Sequence, residues 1–296
     1  MKNESVKVKD STGYILFTWI NTIIMILVCA VTLYPFLYLV AQSFSSEETI
    51  MRGSVSIIPK GWNVSTYKSV LAKGEFLNSY KNTVIYSVIG TILSLILSSC
   101  LAYPLSKKEL KGQKIITKFV IFTMYFAGGL IPNYVLMRRL HLINHVAGFL
   151  APALISTYYV ILMKSFFAET PHELEEAGEL DGLSPVGIFV RIVIPLSMPI
   201  IATMILFNAV GYWNNWYNAF LYLDNKPQWP VAYYLKTIIS GASTSADPGE
   251  ATAEKMQIAA NIKSCSMVLM ALPIICIYPF ISKYYLKGMM LGAVKE

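Results

Sequence analysis

An all-α integral membrane protein with six spans is the fold class this sequence predicts, and three observations predict it. Of the 296 residues, 55% are hydrophobic and only 14% are Asp, Glu, Lys or Arg, against about 25% in an ordinary soluble domain. Six runs of at least 19 residues (11–46, 82–106, 119–137, 140–163, 192–223 and 264–282) contain none of those four residue types, and together hold 155 positions. A helix needs about 20 apolar residues to cross roughly 30 Å of hydrocarbon, with every backbone polar group bonded inside the segment. Buried helices of soluble proteins are usually shorter and keep a polar stripe.

The first run follows a head carrying Lys2, Lys7 and Lys9, as a secretory signal would. Its length, continuing apolar to Val40, predicts an uncleaved span. Val28, before Cys29, is not the small residue that lipoprotein processing requires. Residues 1–14 therefore read as an N-terminal segment, 15–282 as the six-span domain and 283–296 as a tail.

Six spans put both termini on one side. With the termini lie 13 Lys and Arg, five of them in 107–118, against 11 on the other side. The positive-inside rule weights such short segments near span ends, so both termini are predicted in the cytoplasm of a multi-pass protein of the cell (cytoplasmic or inner) membrane. The outer side then receives 42–81, a turn near 138–145, and 224–263, whose SGASTSADPGEATAEK stretch reads as a solvated loop. The net charge of +7 reflects topology and headgroup attraction, and no basic stripe with interleaved aromatics points to a nucleic-acid partner.

Chemistry inside the spans is sparse. The lack of ionisable residues there speaks against an ion-coupled carrier. Nucleotide-binding, zincin and serine-hydrolase motifs are missing too, so if the chain moves something uphill, the energy comes from another polypeptide. The four cysteines, Cys29, Cys100, Cys265 and Cys276, fall in apolar runs without metal-site spacing and read as packing residues. His141 and His145 stand four apart, as a helical metal pair would. Next to Arg138 and Arg139 and with no third ligand nearby in sequence, they read as interfacial polar residues, and no metal site is expected.

The segment 168–195, containing TPHELEEAGELDGLSPVGIFVRIVIP, is built like a helix-turn-helix. Thr170 and Glu173 have the spacing of a capping box with Pro171 at the first helical position, and Leu174, Ala177 and Gly178 share a face. Gly182 ends the first helix, and Ser184-Pro185 begins a second. Six carboxylates crowd the first helix, while Ala177 and Gly178 permit close approach of a partner.

The spacing Glu176-Ala177-Gly178, three residues, Gly182, nine residues, Ile192-Val193-Ile194-Pro195 resembles the EAA motif of binding-protein-dependent ABC importers, EAA-x3-G-x9-I-x-L-P. Gly178 stands for the second Ala and Ile194 for Leu. The resemblance covers nearly the whole chain and is closest to the MalG-like sugar permeases. FAGGLIPNYVLMRRLHLIN and KGMMLGAVK are similar to a branch that imports oligosaccharides released from complex polysaccharides.

The resemblance implies a type I importer permease in which the motif residues Glu176, Ala177, Gly178, Gly182, Ile192 and Pro195 form a coupling helix docked on an ATP-hydrolysing subunit. It also implies a contact of the tail residues Lys287, Gly288, Gly292 and Lys295 with those subunits. The partners implied are a second, distinct permease chain, two ATP-binding subunits holding ATP and Mg, and an extracytoplasmic solute-binding protein. The chain itself is then no enzyme and binds no cofactor.

A sugar path calls for amides and aromatic rings. The fifth run supplies them from Asn208 to Asn218, with Asn208, Asn215 and Trp216 near one helical face. An aromatic belt at the outer interface is the competing reading.

Overall fold

Helix is the only regular secondary structure among the described residues of the computed structural model, which are 11–72, 74–244, 261–277 and 279. The expectations for the N-terminal head, for most of the second outer loop and for Lys287, Gly288, Gly292 and Lys295 lie outside them. The chain divides into two units, Met1–Val70 with Ala242–Val268, and Leu71–Gly241 with Leu269–Glu296.

In the first unit, α1 (Thr12–Ser43) starts where the Ser11 hydroxyl accepts a hydrogen bond from the Tyr14 amide at 3.3 Å. Thr18, Thr22 and Thr32 donate their hydroxyls to carbonyls one turn earlier, which satisfies polar groups in an otherwise apolar helix. Its most apolar stretch is exposed throughout. After α1, α2 (Glu47–Met51) and the following loop close a small core of Ala41, Ile50 and Val55. In the stretch leading to α3 (Ser65–Ala72), Phe44 stacks on Tyr67 with ring centres 4.9 Å apart. The Tyr67 phenol meets the Ser43 hydroxyl at 2.7 Å, and burial pushes its pKa above the ordinary value.

The second unit is organised on α4 (Gly74–Ser106). Its inward face carries Ser79, Thr83, Ser87, Gly90, Ser94 and Ser98, all buried, while Val88, Ile92 and Ile96 point outward. This inverts the pattern of a soluble helix and suits a lipid surround, where small residues let helices approach closely. Against this face pack α8 (Thr157–Phe167) and α12 (Met198–Trp213).

Three of the predicted apolar runs are broken, not straight. The helices α5 (Gln113–Tyr125) and α6 (Leu130–Arg139) meet at 111°, α7 (Val146–Leu150) with its continuation to Ala153 meets α8 at 53°, and Pro185–Leu196, which runs from α10 (Pro185–Ile188) to α11 (Ile194–Leu196), meets α12 at 83°. At the first break the Gly128-Gly129 pair lets the chain turn, since Gly129 adopts φ +87°, a conformation side chains disfavour. Among the described residues, α1 and α4 alone are long and apolar enough to cross a membrane. Five crossings result if each bent pair is one span, and the apolar helix α13 (261–277) is shorter. The second half of α13 is tied to the unit by hydrogen bonds from Tyr80 and Trp213 to the Leu269 and Met270 carbonyls.

The His pair does not share a helical face. His141 sits in a left-handed turn at φ +56°, outside α6 and α7. Of the cysteines, all free, only Cys265 is buried.

Candidate functional site

The predicted helix-turn-helix is present, with changes at its entrance. The helix α9 (His172–Leu180) begins one residue after Pro171, which occupies the cap position without a side-chain bond. The Thr170–Glu173 capping box therefore does not form; instead the Thr170 amide donates to the Phe167 carbonyl at 3.3 Å. At the far end the Leu183 amide reaches back to the Gly178 carbonyl (2.9 Å) and the Gly182 amide to the Glu179 carbonyl (3.0 Å). This Schellman closure needs a left-handed residue, and Gly182 supplies it with φ +78°. Ser184 caps the next helix as expected, accepting from the Gly187 amide at 3.2 Å with Pro185 in the first position.

The inward face differs from the sequence expectation. Glu175 and Gly178 are buried, whereas Leu174 and Ala177 are exposed. A Cβ at Gly178 would stand 2.8 Å from the Ile192 Cδ1 and 3.3 Å from the Ile188 Cγ1, so glycine makes room for these two side chains. Ile192 is half-buried and Pro195 exposed. Glu176 is exposed and meets the His172 Nδ1 at 3.0 Å. Leu174, Ala177 and Leu180 (90% exposed) of α9 and Val186 (69% exposed) of the following helix are exposed.

Below the hairpin, Ile188, Phe189 and Val193 enter a core with Ala102, Met163 and Phe167. Tyr103 stacks on Phe189, ring centres 4.6 Å apart. The Glu175 carboxylate pairs with Lys107, which follows the end of α4, and the Lys107 ammonium also lies 4.9 Å from the centre of the Tyr103 ring. Sequence reasoning missed this pair. Lys107 counted there only towards charge bias and Glu175 as one carboxylate of six, although its three-residue spacing to Gly178 marks the same helix face. A cleft of about 650 Å³ opens beside the pair, walled by Tyr103, Lys107, Glu175, Glu176 and Phe189.

The other predicted residues are not brought together. The helix stops at Trp213, so its period does not carry Asn208 onto a face with Asn215 and Trp216. Asn208 is buried and donates to the Met204 carbonyl at 2.9 Å, and the Asn215 side-chain oxygen accepts from the Asn218 amide at 3.0 Å. Trp216 is 38% exposed, with the Lys236 ammonium 4.8 Å from its ring centre.

At the opposite end of α4 a second set of contacts was not legible beforehand. Asn78 and Asn82 both donate to the Pro227 carbonyl, at 2.6 and 2.7 Å. Thr83 accepts from the Val231 amide at 2.7 Å, and the Asn144 side-chain oxygen accepts from the Asp224 amide at 2.5 Å. These bonds hold 224–231 to the end of the bundle. Asn78 and Tyr103 are 25 residues apart, roughly 38 Å along a helix axis, so the two sets of contacts are separated by more than a hydrocarbon core. Among the described residues no group of three His, Cys, Asp or Glu side chains could hold a metal ion.

Comparison with known proteins places this geometry in context. The chain is 37% identical over 266 residues to protein LplC of Bacillus subtilis (strain 168), covering 90% of each chain. It is 34% identical over 272 residues to the polygalacturonan/rhamnogalacturonan transport system permease protein YtcP of the same organism, covering 92% of this chain and 95% of that protein. With the arabinooligosaccharides transport system permease protein AraQ of Halalkalibacterium halodurans it shares 25% over 292 residues, covering 97% and 99%. Among solved structures, a chain of a bacterial ABC transporter involved in the import of the acidic polysaccharide alginate matches with a TM-score of 0.85 and 29% identity, over 94% of this chain and all of that one. No protein-family model matches.

Proposed function

Because the chain belongs to the family of carbohydrate ABC-transporter permeases, we propose that it forms half of the translocation path of an ATP-driven importer, beside a second, distinct permease subunit. In this reading the six apolar runs are six spans, some of them broken, with both termini in the cytoplasm. Two ATP-binding subunits, which hold ATP and Mg, dock on the 168–195 hairpins of the two permeases. An extracytoplasmic binding protein delivers the sugar to the opposite face.

The observation that carries the proposal is the hairpin. It combines the EAA spacing with exposed apolar residues on both of its helices and a base packed into the helix core, as a device passing motion from a soluble partner into a bundle requires. The separation of the Lys107–Glu175 contacts from those around Asn78 supports the assignment of these loops to opposite faces. The names of the relatives support an oligosaccharide cut from a complex polysaccharide as cargo.

A mild-detergent pull-down of the tagged chain from its native membrane, with mass spectrometry of all co-purifying polypeptides, tests the proposal. Recovery of an ATP-binding subunit and a second permease is the expected result. Recovery of the chain alone, intact and folded, would overturn it.

Trp216 is the exposed aromatic among the three proposed path residues. If sugar passes over it, Trp216→Ala lowers transport roughly three- to ten-fold, from the ~0.5–1.5 kcal/mol an aromatic contact contributes. Unchanged uptake with a lowered melting temperature would instead assign Trp216 to the interfacial belt.

A further inference from the structure

The ion pair between Lys107 and Glu175 differs from two others among the described residues. The side chains of Arg52 and Glu48 are each 72% exposed, and those of His172 and Glu176 63%, the setting in which ion pairs contribute little. For Lys107 and Glu175 the figures are 25% and 10%. A carboxylate this buried is tolerated only with its partner in place, and removing one partner strands the other charge.

The surroundings give the pair direction. Lys107 follows the last turn of α4, where its amide donates to the Pro104 carbonyl at 3.1 Å. Its ammonium lies against the Tyr103 ring, and that ring is stacked on Phe189 at the foot of the second hairpin helix. Glu175 sits on the inward face of α9, one residue before Glu176 of the motif. A single cation thus touches the first helix of the hairpin and the end of α4, while the ring beneath it touches the base of the second helix.

We propose that Lys107 and Glu175 are positioning residues for coupling, a latch that makes the hairpin and the end of α4 move as one body when the ATP-binding partner pulls. The inference rests on the coupling role proposed for the hairpin. Without the latch the hairpin still docks, but it swivels on its 168–171 entrance and dissipates the stroke before it reaches α4.

The test uses the whole transporter in proteoliposomes, with the ratio of sugar imported to ATP hydrolysed as readout. Lys107→Glu and Glu175→Lys singly are expected to lower that ratio several-fold while leaving ATP hydrolysis in place. The charge-swapped double variant is expected to recover much of it, which a merely structural role for either side chain does not predict. Should a charge reversal prevent assembly, Glu175→Gln keeps the shape and removes the charge. Spin labels at Lys111→Cys and Leu180→Cys, in a background without the four native cysteines, then report the distance between loop and hairpin through the ATP cycle. A narrow distance distribution with Glu175, broadened in Glu175→Gln, is expected. Single variants with an unchanged ratio, a swap no better than the worse single, or an unchanged distribution in Glu175→Gln would overturn the latch. If the unmodified transporter imports no sugar on ATP addition, the coupling reading falls first.

Discussion

Gly182→Leu is expected to cut sugar import per ATP hydrolysed by roughly ten-fold while the chain still inserts and assembles. Gly182 closes α9 at φ +78°, and a side chain in that left-handed region costs about 1–2 kcal/mol. A Cβ there would meet nothing within 4 Å, so the variant suffers from backbone conformation and not from crowding within the chain. The Leu183-to-Gly178 bond that fixes the angle between the two hairpin helices is the part that gives way. Gly182→Asn separates this cause from obstruction of a docking partner, because asparagine tolerates the left-handed region. It should retain most of the coupling, whereas a mutant blocked only by added bulk would lose it with either residue. Coupled transport at the normal ratio by Gly182→Leu, measured in proteoliposomes, would remove the hairpin from its proposed role.

Gly90→Leu is expected to destabilise the second unit by about 3 kcal/mol, the upper end of the range for overpacking a close-packed core. A Cβ at position 90 would lie 2.6 Å from two atoms of the Tyr212 ring and 2.8 Å from a third. The ring cannot simply withdraw, since its hydroxyl is hydrogen-bonded to Ser94 at 2.9 Å. Even Gly90→Ala should lose stability, although alanine is the better helix former by about 1 kcal/mol, so the sign of that mutation alone reports the clash. Thermal unfolding of the purified complex measures both. Pairing Gly90→Ala with Tyr212→Leu should cost less than the sum of the two, as expected for residues in direct contact. Strict additivity would mean that α4 and α12 do not meet here.

The elements legible in the sequence were those set by local chemistry. Long charge-free runs announced α1 and α4, and Ser184-Pro185 and Gly182 marked one helix start and one helix end correctly because caps and left-handed glycines act within a few residues. Even local rules compete, as Pro171 shows by taking the cap position that Thr170 was expected to hold. The bends were not read from the sequence, because a charge-free run looks the same whether the helix inside it is straight or turned through 83°. Helical periodicity misled at Asn208, Asn215 and Trp216, because the helix ends between them. Contacts across long separations left no sequence trace at all. Lys107 and Glu175 lie 68 residues apart and Asn78 and Pro227 lie 149 apart, and only the packing of helices brings such pairs together.

The near-right-angle between Pro185–Leu196 and α12 gives the hairpin the mechanics of a bell crank. Ser197 is the pivot, buried and with its amide held by the Val193 and Ile194 carbonyls at 2.9 and 3.1 Å. If the hairpin couples as proposed, a thrust along the short arm emerges as a sideways sweep of the long one. Stiffness at the elbow, more than the length of either arm, then decides how much of an applied displacement arrives at the far end of α12.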